Sequence, residues 1–164
     1  MRQKRVRLQI FLSLVFVVTS AASAWAQLES VRVTLPSTVT FTVPTNASVV
    51  GTPNPTSVSF SNAILLPGRV LRLSVTADTS TFNGPGGSSY VAGAVSWTVS
   101  GASGGTGSAG TLSNGSYSQV FQSNTLTFSG GVDMQWTFAP LAGGADYAGA
   151  HSITLRWRIE SVSP

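Results

Sequence analysis

The stretch that decides the fold is Ser152-Ile153-Thr154-Leu155-Arg156-Trp157-Arg158-Ile159-Glu160. Ile153, Leu155, Trp157 and Ile159 hold one phase of a two-residue alternation, and Ser152, Thr154, Arg156, Arg158 and Glu160 hold the other. Period two is a β-strand with one covered and one wet face, because successive side chains leave a pleated strand on opposite sides. At about 3.3 Å per residue the run predicts a strand of roughly 30 Å.

The same pattern recurs upstream. Val31, Val33 and Leu35 alternate with Arg32 and Thr34, and Val39, Phe41 and Val43 with Thr40 and Thr42. Val58 and Phe60 follow, then Leu71, Leu73, Val75 and Ala77 against Arg72, Ser74, Thr76 and Asp78. Further runs carry Val95, Trp97 and Val99; Tyr117, Gln119 and Phe121; Leu126 and Phe128; and Val132, Met134, Trp136 and Phe138. No segment after residue 26 sustains the i, i+3, i+4, i+7 spacing of a helix. The expectation is an all-β fold, a single Ig-like antiparallel β-sandwich of about eight or nine strands. Its core is expected to contain Trp97, Trp136 and Trp157 with Phe41, Phe60, Phe121, Phe128 and Phe138. The Gly/Ser-rich stretches 83–93 and 101–115 read as long flexible loops.

Ahead of this domain lies a different kind of segment. Arg2, Lys4, Arg5 and Arg7 precede the apolar run Ile10 to Val18, and the small residues that follow end in Ala24-Trp25-Ala26. That is the grammar of a secretory signal peptide over 1–26, with the mature domain at 27–164. The apolar run is nearer to the length of a signal h-region than to the roughly 20 residues of a bilayer span, so no membrane span is expected after cleavage, with an uncleaved N-terminal anchor as the alternative. The formal charge of +4 then belongs to the leader: four of the nine Lys and Arg sit there, leaving five Arg against five acids. A neutral mature chain gives no reason to expect nucleic acid as a partner, and offers little charge repulsion against self-association. With no Cys, the domain depends on its core rather than on disulfides.

Catalytic patterns are weak. His151 is the single histidine, and its nearest upstream acid is Asp146. No G-x-S-x-G turn, calcium loop, zinc spacing or P-loop accompanies them. The five acids are scattered over five segments, which does not suit the paired carboxylates of a glycosidase. His151 reads as a surface or strand-edge residue. The sequence therefore predicts no enzyme, no metal and no cofactor. Arg72, Arg156 and Arg158, with Arg32, occupy polar phases and would form a small basic patch if their strands were neighbours.

The leader, the early Thr/Val alternation and the closing run Asp146-Tyr147-Ala148-Gly149-Ala150-His151-Ser152-Ile153-Thr154-Leu155 resemble bacterial secreted Ig-like sandwiches of the pilin and spore-coat-U type. The chain departs from that pattern in having no cysteine pair, and in ending Val162-Ser163-Pro164 without a closing aromatic. The resemblance implies a secreted, periplasmic or cell-surface structural subunit that works through protein contacts, self-association included, and it assigns no residue. Strand addition at an exposed edge is the mechanism it suggests. Val31, Val33 and Leu35 would then act as donor or edge residues, or alternatively as the first strand of their own domain. A second reading is a glycan-binding module using loop residues Tyr90, Tyr117 and Tyr147. A third, an eight-stranded outer-membrane barrel, needs longer runs than most of these.

Overall fold

Most runs of alternation become strands with their apolar phase inward, while Tyr117 and Leu126 lie just outside strands and are exposed. The computed structural model describes residues 29–36, 38–43, 48–140 and 148–164; residues 1–28, Asp146 and Tyr147 lie outside them. Within these residues the chain is all-β and antiparallel, with two 3₁₀ turns at Pro85–Gly87 and Ala92–Ala94. None of the described helical turns is long and apolar enough to cross a membrane. The strands are β1 (Ser30–Thr34), β2 (Phe41–Val43), β3 (Val49–Val50), β4 (Thr56–Ile64), β5 (Val70–Ala77), β6 (Thr81–Asn83) and β7 (Ser89–Val91). They continue as β8 (Val95–Ser103), β9 (Thr106–Gly107), β10 (Gly110–Thr111), β11 (Ser118–Ser123), β12 (Thr127–Phe138), β13 (Gly149–His151) and β14 (Leu155–Val162).

Two open sheets face each other. One has the order β1-β4-β12-β8-β10, with β3 extending the β4 column alongside β12; the other has the order β14-β5-β11-β9. Two ribbons, β13-β2 and β6-β7, complete the layers. The architecture is a sandwich and not a closed barrel. Phe60 on β4 stacks on Phe121 of β11 at 4.8 Å, joining the sheets through their inner faces. Trp97 and Trp136, opposite each other on β8 and β12, are both buried, with ring centroids 5.5 Å apart.

Three sequence expectations change. The last strand starts at Leu155 rather than Ser152 and runs on to Val162, because His151 closes the β13 ribbon against Phe41. The two Gly/Ser-rich stretches are built structure rather than loose loops. Residues 83–93 hold the turn and second strand of the β6-β7 hairpin, and 101–115 hold the end of β8 together with β9 and β10. These two short strands carry the chain from one sheet to the other and close that side of the sandwich. Glycine is required there: a Cβ on Gly110 would lie 2.5 Å from Cζ2 of Trp97, whose Nε1 donates to the Ser108 carbonyl at 2.8 Å. Third, Ser74 and Thr76, on the polar phase of β5, are buried. The 113–117 segment reaches them: Thr76 Oγ1 donates to Ser113 O (2.7 Å), and Asn114 Nδ2 donates to the carbonyls of Ala77 (3.2 Å) and Asp78 (3.1 Å).

Candidate functional site

The two sides of the sandwich are finished differently. The β9/β10 side ends in two-residue strands joined across the sheets, which blunts it as a template for pairing. On the other side lie the first and last strands, five and eight residues long. They meet at one end and splay apart at the other.

At the meeting point a polar clasp ties them. Glu29, just before β1, accepts hydrogen bonds through Oε1 from the Leu66 N–H (2.9 Å) and from Ser161 Oγ on β14 (2.8 Å). Arg69 stands 3.9 Å from the same oxygen and donates to the Ser161 carbonyl at 2.8 Å. The Leu66 amide, the Ser161 hydroxyl and Arg69 hold the Glu29 carboxyl below the ordinary carboxylate range, with partial desolvation acting the other way. A depressed carboxylate contributes stability above its unfolded value of about 4.3, and that contribution disappears as pH falls through the folded value. Glu29→Gln is therefore expected to unfold at lower urea concentration than wild type at pH 7, with the gap closing below about pH 4. A gap independent of pH in urea melts from pH 7 to 3 would show that the charge is idle.

At the splayed end the strands leave an apolar wedge. Trp157 of β14 packs edge-to-face on Trp136, 6.4 Å away on β12, two strands in from β1. The divergence follows from the twist of stacked sheets, whose strands cross at an angle. A cavity of about 380 Å³ opens there. Leu35, Pro36 and Val39 line one wall, and Ile153, Leu155 and Trp157 line the other.

The outer edge of β14 has a definite polarity. Thr154 O accepts from Asp78 N (2.9 Å) on the β5 side, and the β14–β5 register runs without a break from Leu155–Ala77 to Val162–Val70. Backbone groups alternate sides along a strand, so Leu155, Trp157, Ile159 and Ser161 turn theirs away from β5. Arg69 already occupies the Ser161 carbonyl. Among the described residues, Leu155, Trp157 and Ile159 present backbone donors and acceptors to which no strand is paired. Ile159 is also 38% exposed.

The residues singled out from sequence distribute as follows. Val31 and Val33 are half-buried against the core, and β1 pairs with β4 of the same chain. Leu35, just beyond β1, is 36% exposed at the wedge. Tyr90 does not line a binding loop: it is 4% exposed, and its ring packs on Phe82, Phe138 and His151. His151 likewise sits inside rather than at the surface, with Nδ1–H donating to Gly149 O at 3.0 Å. An alternation read one residue at a time cannot show that a Gly-rich hairpin folds both its aromatics, Phe82 and Tyr90, inward. Tyr117 is exposed but lies beneath Arg158, 4.4 Å from its ring centre, and Tyr147 is outside the described residues. Trp97 and Trp136 are core residues, and where Trp136 and Trp157 both line the wedge they meet edge-to-face with Trp136 buried, so these side chains do not form a flat exposed stacking platform.

Arg72, Arg156 and Arg158 do come together on the outer face of β5 and β14. They are interleaved with acids: Arg156 pairs with Asp78, and Arg158 with Glu160 at 3.3 Å. Arg32 lies on β1 in the other sheet, opposite Ser61. Sequence alone could not place the splay of β1 from β14, because that depends on sheet twist and on the Glu29 clasp, which joins residues 132 positions apart.

No protein-family model, curated protein or solved structure matches this chain.

Proposed function

We propose that the chain is an exported β-sandwich that works by protein–protein contact, with the seam between β1 and β14 as its contact surface. The observation that carries this reading is the unpaired outer edge of Leu155, Trp157 and Ile159 beside an apolar wedge. An extended segment added to such an edge gains backbone hydrogen bonds and sets alternate side chains into the adjacent pocket. Protected edges are short or covered; β14 is eight residues long and carries the exposed Ile159, with the exposed Leu35 across the wedge from it. The signal-peptide grammar of residues 1–26 supports a contact made outside the cytoplasm in this reading.

The test uses a photo-crosslinking residue at Leu35, a control at the exposed Thr98 on β8, and crosslinking in the exporting cell. Discrete adducts are expected from Leu35 and none from Thr98. Ile159→Pro is expected to abolish them while the protein keeps its circular dichroism, because the Ile159 N–H faces away from β5 and is not needed by the sheet. Equal adducts from both positions, or adducts indifferent to folded Ile159→Pro, would overturn the proposal.

A further inference from the structure

Taking the seam as the contact surface, we infer that its partner is an acidic–apolar alternating segment of another protein, paired with β14 along Leu155–Ile159. The argument begins with the side chains that flank the free edge. On the inner phase stand Leu155, Trp157 and Ile159; on the outer phase between them stand Arg156 and Arg158, whose side chains are 66% and 48% exposed. Arg72 lies on the same face, opposite Glu160 on the neighbouring strand. Three arginines against Asp78 and Glu160 leave this face with one positive charge in excess. A strand added here faces Arg156 and Arg158 directly with its own outer residues, and opposite charges at such positions favour pairing while like charges oppose it.

That rule disfavours a second copy of β14. Laid antiparallel over the three free positions, with Trp157 opposite its twin, the copy sets Arg156 against Arg158 twice. A register one residue further brings Arg158 against Arg158 but Arg156 against Glu160 twice, and it places Leu155 opposite Ser161, whose carbonyl Arg69 holds. The next register does match Arg158 with Glu160, but it requires a hydrogen-bonded pair between Trp157 and Ser161, whose carbonyl Arg69 holds. Charge opposes the first, and the clasp on Ser161 opposes the second and third. Among the described residues the chain's own apolar–acid–apolar triplet, Val132-Asp133-Met134, cannot serve as a donor. It lies in the middle of β12, paired with β4 on one side and β8 on the other.

What fits is a segment with carboxylates opposite Arg156 and Arg158 and apolar residues on the alternate phase. The apolar residue beside Leu155 and Trp157 enters the wedge between Val39 and Ile153, which has room for a large side chain. Specificity then has two parts: shape from the wedge and sign from the two arginines.

The experiment titrates purified mature protein with two capped peptides, Thr-Phe-Glu-Phe-Glu-Val-Thr and the same sequence with Lys in place of Glu, followed by calorimetry and amide exchange. The acidic peptide is expected to bind about tenfold or more tightly than the basic one at low salt, with the preference shrinking as salt rises. The double variant Arg156→Glu/Arg158→Glu is expected to reverse the preference, and bound peptide to slow exchange at the amides of Trp157 and Ile159. Equal binding of both peptides with that protection overturns the acidic partner and leaves the edge reading standing. Binding of neither, or binding without protection at Trp157 and Ile159, overturns both. A Leu35 crosslink consisting of a second copy of this chain overturns the choice of a foreign partner.

Discussion

Phe60→Ala is expected to destabilise the domain by about 3–5 kcal/mol, a drop in thermal midpoint on the order of 10–20 °C. Phe60 is 2% exposed and is the ring through which the two sheets touch most directly. It stacks on Phe121 at 4.8 Å and tilts against Phe128 at 6.0 Å. Removing it takes away the transfer energy of a whole aromatic side chain. It also leaves a cavity that β4 and β11 cannot close, because each is fixed by its own ladder with neighbouring strands. With a total stability of roughly 5–15 kcal/mol, one such loss consumes a large part of the margin. Ile159→Ala provides the comparison: at 38% exposure it is expected to shift stability by no more than about 0.5 kcal/mol. Urea melts of the two variants check this, and a Phe60→Ala loss below about 1.5 kcal/mol would mean that the sheets are held together elsewhere.

The contrast between Phe60 and Ile159 also marks how far the sequence could be read. Both fall on the apolar phase of an alternating run, and alternation says only which side of a strand faces the other sheet. For Phe60, Trp97 and Val75 that is enough, since their strands lie inside the layers and the other sheet covers them. For Leu155, Trp157 and Ile159 it is not, since β14 is an edge and its inner face is covered only where β1 or β12 overhangs it. The fold class was therefore legible in the period of the sequence, and the site was not. The site exists where the period's promise of burial is incompletely kept, and that follows from long-range facts: the Glu29–Ser161 clasp, the Trp136–Trp157 contact and the splay they impose. Tyr90 failed in the opposite sense. Its Gly/Ser-rich setting spoke for a wet loop, yet those glycines are what allow the β6-β7 hairpin to lie close against the core. A Cβ on Gly84, for instance, would collide with the His151 ring.

Deleting residues 27–35 is expected to cost the domain most of its cooperative fold, and this is the sharpest test of what the first strand does. β1 pairs with β4 through Arg32–Ser61, Val33–Phe60 and Thr34–Ser59. Its Val31 and Val33 pack on the core, and Glu29 holds β14 and the Leu66 turn. The deletion removes all three contributions together. It also lays bare the outer edge of β4, a nine-residue strand whose inner phase includes Val58 and Phe60, and a long uncovered edge of that kind templates association. The expected product scatters light, loses its near-ultraviolet tryptophan signal and unfolds without a sharp transition. A synthetic peptide of residues 27–35 supplied in trans is expected to restore both the spectrum and the monomer, because the vacated position accepts one sequence in one register: the side-chain period is two, and a one-residue slip would turn Val31 and Val33 outward. A deleted protein that stays monomeric and melts cooperatively would show the opposite, that β1 is dispensable to its own sandwich and free to be given to another. The first outcome makes the seam a receiving edge at β14, and the second makes the chain a strand donor.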